Sequence, residues 1–142
     1  MNTADLARLI ENLIRIGTIA VVDHGARKLK VKSGNLLTNW LDWPADIGRN
    51  YKRWRPLRLG TQVILTCPAG DPAQAMIIGM LYSNGRESPS IDPNIDLIAF
   101  DDGSYLEHHQ GNKTLKLHSA GDLTISAAGN ITIQAPRVDI NP

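Results

Sequence analysis

Two rhythms of apolar residues succeed one another along this chain. Between residues 3 and 15, Leu6, Leu9, Ile10, Leu13 and Ile14 recur at i, i+3, i+4, i+7 and i+8. That spacing lines one face of an α-helix. Thr3 stands where an N-cap belongs, Asp5 falls in the first turn, and Gly17 is placed to end the helix. An isolated helix of about 13 residues with one apolar stripe is marginal in water. It must lie on something, either its own domain or a neighbouring copy, and a baseplate or tube neighbour is the expected partner.

From residue 18 the period shortens to two. TIAVVD is β-branched and apolar, and DHGARKLKV reads as a turn followed by a strand in which Leu29 and Val31 alternate with Lys28, Lys30 and Lys32. LLTNWLDW (36–43) predicts a third strand ended by Pro44, Gln62 to Cys67 a fourth, and AMIIGMLYS (75–83) a fifth. Five short strands with one longer connection, 44–55, predict a small closed barrel of the OB type over residues 17–83. The helix before it occupies 1–16. Residues 84–96, NGRESPSIDPNID, are polar and rich in Pro, Ser and Asn, and read as a linker. The strands LIAF and SYLEHHQ flank a DDG turn, and a GN turn at 111–112 leads into the last segment, so that 97–142 forms the final domain.

That segment is a ladder. Leu115 and Leu117 are followed eight residues later by Leu123 and Ile125, then by Ile131 and Ile133; Val138 and Ile140 come one residue early. A spacing of two puts both members of each pair on one face, and the intervening Lys116, Thr124, Thr132 and Asp139 on the other. Gly121 and Gly129 fall at the turns. A lone meander of this kind leaves its apolar face wet and its edges open. An ordinary antiparallel sheet laid on the barrel is one solution. The short, terminal, eight-residue metre favours another: three copies wound about one axis into an intertwined β-helix, with all eight aliphatic residues in the trimer core.

Composition narrows the class. With 15 basic and 14 acidic residues, the chain has no overall attraction to nucleic acid or to an anionic membrane. Cys67 is the only cysteine, which excludes an internal disulfide and a cysteine-based zinc site and suits a protein made in a reducing cytoplasm. Arg8, Glu11 and Arg15 interrupt the first apolar stretch, so no signal peptide is expected, and no run reaches transmembrane length.

Little in the sequence carries reaction chemistry. Nothing spaces Ser, His and Asp into an activated set, Asp101 and Asp102 precede Gly103 as turn residues, and Cys67 stands in an apolar strand. No enzyme activity is expected. His108 and His109 are the metal candidates, because a threefold axis would gather copies of whichever faces inward. One ligand type at one level does not make a site, so no metal is expected. RNYKRWRPLR packs five basic residues around Tyr51 and Trp54. Basic grooves with aromatic platforms bind single-stranded nucleic acid on OB folds, which is the alternative function. A protein interface made by Tyr51, Trp54 and Arg55 fits the neutral chain and the ladder better.

The order of parts is itself a signature. A helix, a barrel containing "WRPLRLGTQVIL" and "AMIIGMLYS", a polar linker, "FDDGSYLEHHQ" and a β-ladder together resemble the baseplate assembly protein V family of contractile-tail bacteriophages. They are also similar to the spike part of type VI secretion VgrG proteins. The most specific pieces are the turn Pro56–Leu57–Arg58–Leu59–Gly60 before Val63, the strand end Gly79–Met80–Leu81–Tyr82, and the turn Asp102–Gly103–Ser104 before Leu106. The resemblance implies a homotrimeric central spike in a virion tail or a phage-tail-like, pyocin-like particle. It implies contacts with the tail tube or hub and with baseplate wedge proteins, and passage through the bacterial outer membrane when the sheath contracts. Longer family members end in a His-x-His motif that binds iron at the tip. That motif is absent here, so no cofactor is expected, and three arrangements of the tip stay open: a blunt spike, a spike sharpened by a PAAR-like cap, or a sequence that is truncated.

Overall fold

Strand β1 (Ile14–Asp23) organises the first half of the molecule. It pairs antiparallel with β2 (Lys28–Ser33) on one side and with β7 (Gln62–Thr66) on the other. Between these come β3 (Leu36–Leu37), β4 (Leu41–Asp42) and a hairpin of β5 (Asp46–Ile47) and β6 (Lys52–Arg53). Strand β8 (Met76–Leu81) completes the order β3-β2-β1-β7-β8. Strand β4 pairs with β2 and also touches β8, so the sheet curls round to meet itself. Bulges at Ile19/Val21 and at Ile64/Leu65 supply local bends. The structure, a computed structural model, describes residues 1–141. Pro142, the last residue of the expected ladder domain, lies outside the described residues. The chain divides into two compact units, Met1–Ser88 and the part from Pro89 onward.

Period-two patterning builds the core of the first unit. Leu29 and Val31 on β2, and Val63 and Leu65 on β7, turn inward at alternate positions and are completely buried. Ile19, Leu41, Leu57, Cys67 and Ala75 close around them. Gly17 lies at a close approach of β1 to β2: a Cβ there would meet Val31 Cγ1 at 2.5 Å and the Lys32 carbonyl at 2.7 Å.

The N-terminal helix is shorter than its apolar stripe. Helix α1 runs Thr3–Glu11, and the N-cap is Asn2 rather than Thr3, its side chain accepting the Asp5 N–H at 2.8 Å. Leu13 already lends its carbonyl to Cys67, and Ile14–Ile16 have entered β1 opposite Thr66–Ile64. IRIGTIAVVD is rich in β-branched residues and gains a strand on each side, and those ladder bonds outweigh another helical turn. Gly17 is accordingly mid-strand and ends no helix. The helix end rests on Gly70, a positive-φ glycine whose added Cβ would strike the Leu9 carbonyl at 2.3 Å.

The expected third strand, 36–43, is broken into β3 and β4. Buried Thr38 makes the break: its N–H donates to the Val31 carbonyl, and its hydroxyl accepts the Val31 N–H and donates to Asn39. A side-chain oxygen thus takes the place of a ladder partner.

The second unit holds β9 (Ile95–Ala99), β10 (Tyr105–His109) and β11 (Thr114–His118) in one antiparallel sheet, order β11-β10-β9. Strand β9 takes Ile95 and Asp96 from the segment read as linker. The DDG turn forms as expected, with Gly103 at φ +94° and the Asp102 carboxylate accepting the Ser104 N–H at 2.8 Å. Hydrogen bonds from Ser104 hold the Asp102 carboxyl below its ordinary range. Strand β11 is the first rung of the ladder; from Ser119 to Asn141 the backbone is extended or bent and pairs with no strand of its own chain.

Candidate functional site

Among the described residues, no three or more His, Cys, Asp or Glu side chains gather as they would around a metal ion, and no helix is long and apolar enough to cross a membrane. Cys67 is buried, and that burial pushes its thiol pKa up. The features that stand out are surfaces, and three of them are unusual.

The first is the ladder. Leu115, Leu117, Leu123, Ile125, Ile131, Ile133, Val138 and Ile140 are between 50% and 84% exposed in the single chain. A scattered exposed aliphatic residue is ordinary; eight in a regular row are a contiguous apolar strip. The strip also starts earlier than its metre. Leu106 pairs directly with Leu117 on one side and with Ile98 on the other, so all three share a face, and Ile98 and Leu106 are exposed too. Sequence reasoning missed these two because they precede the eight-residue repeat; the signal was alternation within LIAF and SYLEHHQ.

Alternation separates the two adjacent histidines. His108 pairs with Leu115 and Asp96 and so lies on the strip's face, where a shallow hollow is lined by Asp96, Ile98, Leu106, His108 and Leu115. His109 lies on the opposite face, where its Nδ1 accepts the Asn112 N–H at 3.1 Å. On that face Tyr105 stacks on His118 at 5.1 Å, with the Lys116 ammonium 5.6 Å from the Tyr105 ring centre.

The second surface is the outer face of the curled sheet. Ile14 and Ile16 on β1 and Met76 and Ile78 on β8 are all exposed, as are Leu6 and Ile10 on α1. Leu6, Ile10 and Ile14 stood out in the sequence only as a helical stripe, and the sheet face made by Ile14, Ile16, Met76 and Ile78 was not foreseen. The clue was that β1 is apolar at both odd and even positions, the pattern of a strand covered on both faces.

The third is the 44–55 connection with its basic and aromatic residues. It is fastened to the barrel by Trp43. That indole donates its N–H to the Arg55 carbonyl at 3.0 Å, stacks on Trp54 at 5.3 Å and 22°, and meets the His24 ring at 5.2 Å. Tyr51 folds back over Gly48, whose N–H bonds the Tyr51 carbonyl. Arg53 pairs with Asp46 at 3.5 Å, and Lys28 pairs with Asp42, lowering that carboxyl's pKa. The structure thus brings Tyr51, Trp54 and Arg55 together on one exposed hairpin. It also spends one face of Trp54 on Trp43 and pairs Arg53 with Asp46, which is unlike an open row of stacking platforms with free cations.

Residues 15–82 match the family described as the type VI secretion system/phage-baseplate injector OB domain. The matched stretch is the curled sheet built on β1, so this mainly β unit is an OB-like domain. Over 138 residues, 96% of this chain, the sequence is 30% identical to the spike protein of Escherichia phage P2. The chain spans 65% of that protein's length. The resemblance to the phage-baseplate family is therefore borne out.

Proposed function

We propose, from the premise that this chain carries a phage-baseplate injector OB domain and resembles a phage spike protein over nearly its whole length, that it is a central spike of a contractile-tail baseplate. In this reading three copies associate, their tails wind into a β-helix, and the OB domains form a collar beneath the tail tube or hub, in contact with wedge proteins. Sheath contraction supplies the energy, and the spike transmits it through the outer membrane. A PAAR-like cap completes the tip. The work is mechanical rather than catalytic and uses no cofactor for reaction chemistry.

The observation that carries this reading is the regular row of bare aliphatic residues on a segment with no strand partner in its own chain. Leaving such a strip in water forfeits roughly 25 cal/mol for each Å² that association would cover. The unpaired backbone from Ser119 onward has the same need, since strand edges either pair or invite pairing. Sister copies satisfy both needs at once. They produce a rod in which axial load is shared among interchain hydrogen bonds and a continuous apolar core. Stiffness under load is the property that a piercing device requires.

The test is a pair of inward charges. Leu123→Asp or Ile131→Asp places three carboxylates on the axis, where each lacks a partner. Sedimentation should show trimer for the unaltered chain and monomer for either variant. A variant that sediments as an unaltered trimer would show that these side chains do not face the axis.

A further inference from the structure

Asp96 and His108 interrupt an aliphatic face. The paired registers of β9, β10 and β11 put Ile98, Leu106, Leu115 and Leu117 on the side that carries the strip, and the only polar residues among those pairs are Asp96 and His108. They stand directly opposite each other, two residues along their strands from the Ile98–Leu106 pair. Asn94 and Gln110, joined through their main chains at 2.8 Å, follow at the wet end of the sheet. His108 is half-buried already, and the hollow it lines with Asp96 has Leu97, Ile98, Leu106 and Leu115 for its other walls.

In the single chain this arrangement is unremarkable, because Asp96 faces water. Trimerisation changes its chemistry. If the strip turns toward a threefold axis, three Asp96 carboxylates and three His108 imidazoles converge at one level, next to a wall of aliphatic side chains. Three carboxylates drawn out of water with no counter-charge are strongly unfavourable. A divalent cation cancels most of that charge. Neutral imidazole nitrogen together with carboxylate oxygen is a donor set for zinc, nickel, cobalt or ferrous iron rather than for calcium. The dry aliphatic wall strengthens the attraction by lowering the local dielectric. His109 is excluded from the set by the opposite direction of its side chain.

We propose that His108 and Asp96 from three copies bind one divalent transition-metal cation on the spike axis, at the base of the β-helix. The site rests on the trimeric spike reading, since each chain supplies only one imidazole and one carboxylate. The ion would clamp the three chains together where the ladder begins, level with Leu115.

The experiment uses the untagged full chain, stripped with EDTA and reloaded with Zn²⁺ or Ni²⁺, with the ion counted by native mass spectrometry at the assembly's mass. The expected result is one ion per three chains and a thermal midpoint that rises on loading. His108→Asn should abolish the bound ion while leaving the trimer mass, and Asp96→Asn should weaken binding at least tenfold. His109→Asn should change neither. A trimer that takes up no ion, or that keeps it after His108→Asn, overturns the site and leaves the spike reading intact. An ion-free trimer that instead dissociates as pH rises through the imidazole range overturns it in favour of protonated His108 paired with Asp96. A chain that sediments as a monomer overturns the spike reading itself, and the site with it.

Discussion

Gly17 shows how much a missing side chain can decide. The nearest atoms to a Cβ at this position include the Lys32 carbonyl oxygen, which cannot swing aside as a side-chain tip can. Gly17→Ala therefore forces β1 and β2 apart beside the buried Val31. Overpacking of this kind costs ~1–3 kcal/mol. The urea midpoint of the first unit's unfolding should fall accordingly, and an unchanged midpoint would mean that the approach is looser than described. Cys67 makes a second residue-scale case. Burial raises its thiol pKa, so the folded chain holds that proton more tightly than the unfolded chain. The linked stability is full below the unfolded thiol's pKa and is lost as pH climbs through the raised folded value. Native protein at pH 8 should resist a disulfide thiol reagent until denaturant is added; immediate labelling would contradict the burial. The inward direction of Cys67 was legible, because it continues the alternation of Val63 and Leu65. The meaning of Gly17 was not, because a glycine after a helical stripe and a glycine inside a strand look alike until the partner strand is known.

At the scale of elements, the N-terminus shows two periods competing for the same residues. Leu13 and Ile14 extend the helical stripe of Leu6, Leu9 and Ile10, but Ile14 and Ile16 also begin the β1 alternation. Tertiary pairing with β7 settled the matter, and no local signal carries that information. The helix touches its own unit where Leu9 meets Gly70, while Leu6 and Ile10 stay exposed, and docking of that exposed face on a baseplate neighbour is a proposal. Removing residues 1–11 spares β1. The shortened chain should assemble as before and fail to join a baseplate; loss of the assembly would place the helix inside it. The 44–55 hairpin is the other element with a clear test. Its attachment depends on Trp43, through one hydrogen bond and the ring contacts to Trp54 and His24. An aromatic pair contributes ~0.5–1.5 kcal/mol beyond its buried area. Trp43→Ala should accordingly speed tryptic cleavage at Arg49, Lys52 and Arg53 by about threefold to tenfold. Equal rates would mean that the hairpin is held elsewhere. The basic and aromatic residues of this hairpin were plain in the sequence, but the internal use of Trp54 required the fold.

At the scale of the whole molecule, two units with different needs share one chain. The first unit has a core of its own, completed by Leu29, Val31, Val63 and Leu65. From Pro89 onward the chain has a sheet of three strands and then, as far as Asn141, a backbone without strand partners, and the aliphatic residues of its ladder are exposed. The ladder's metre was legible because repetition at a fixed spacing is a property of sequence alone. A covering partner was not, since another surface adds no residues to this chain's sequence, and the same limit hid the Ile14, Ile16, Met76 and Ile78 patch. The central claim is that copies of this chain shield the aliphatic strip. Native mass spectrometry of the intact chain, with hydrogen exchange read over residues 119–141, tests it most directly. The account predicts a mass three times that of the 15.5 kDa chain, with tail amides protected for hours. A 15.5 kDa monomer whose tail amides exchange within seconds would contradict it.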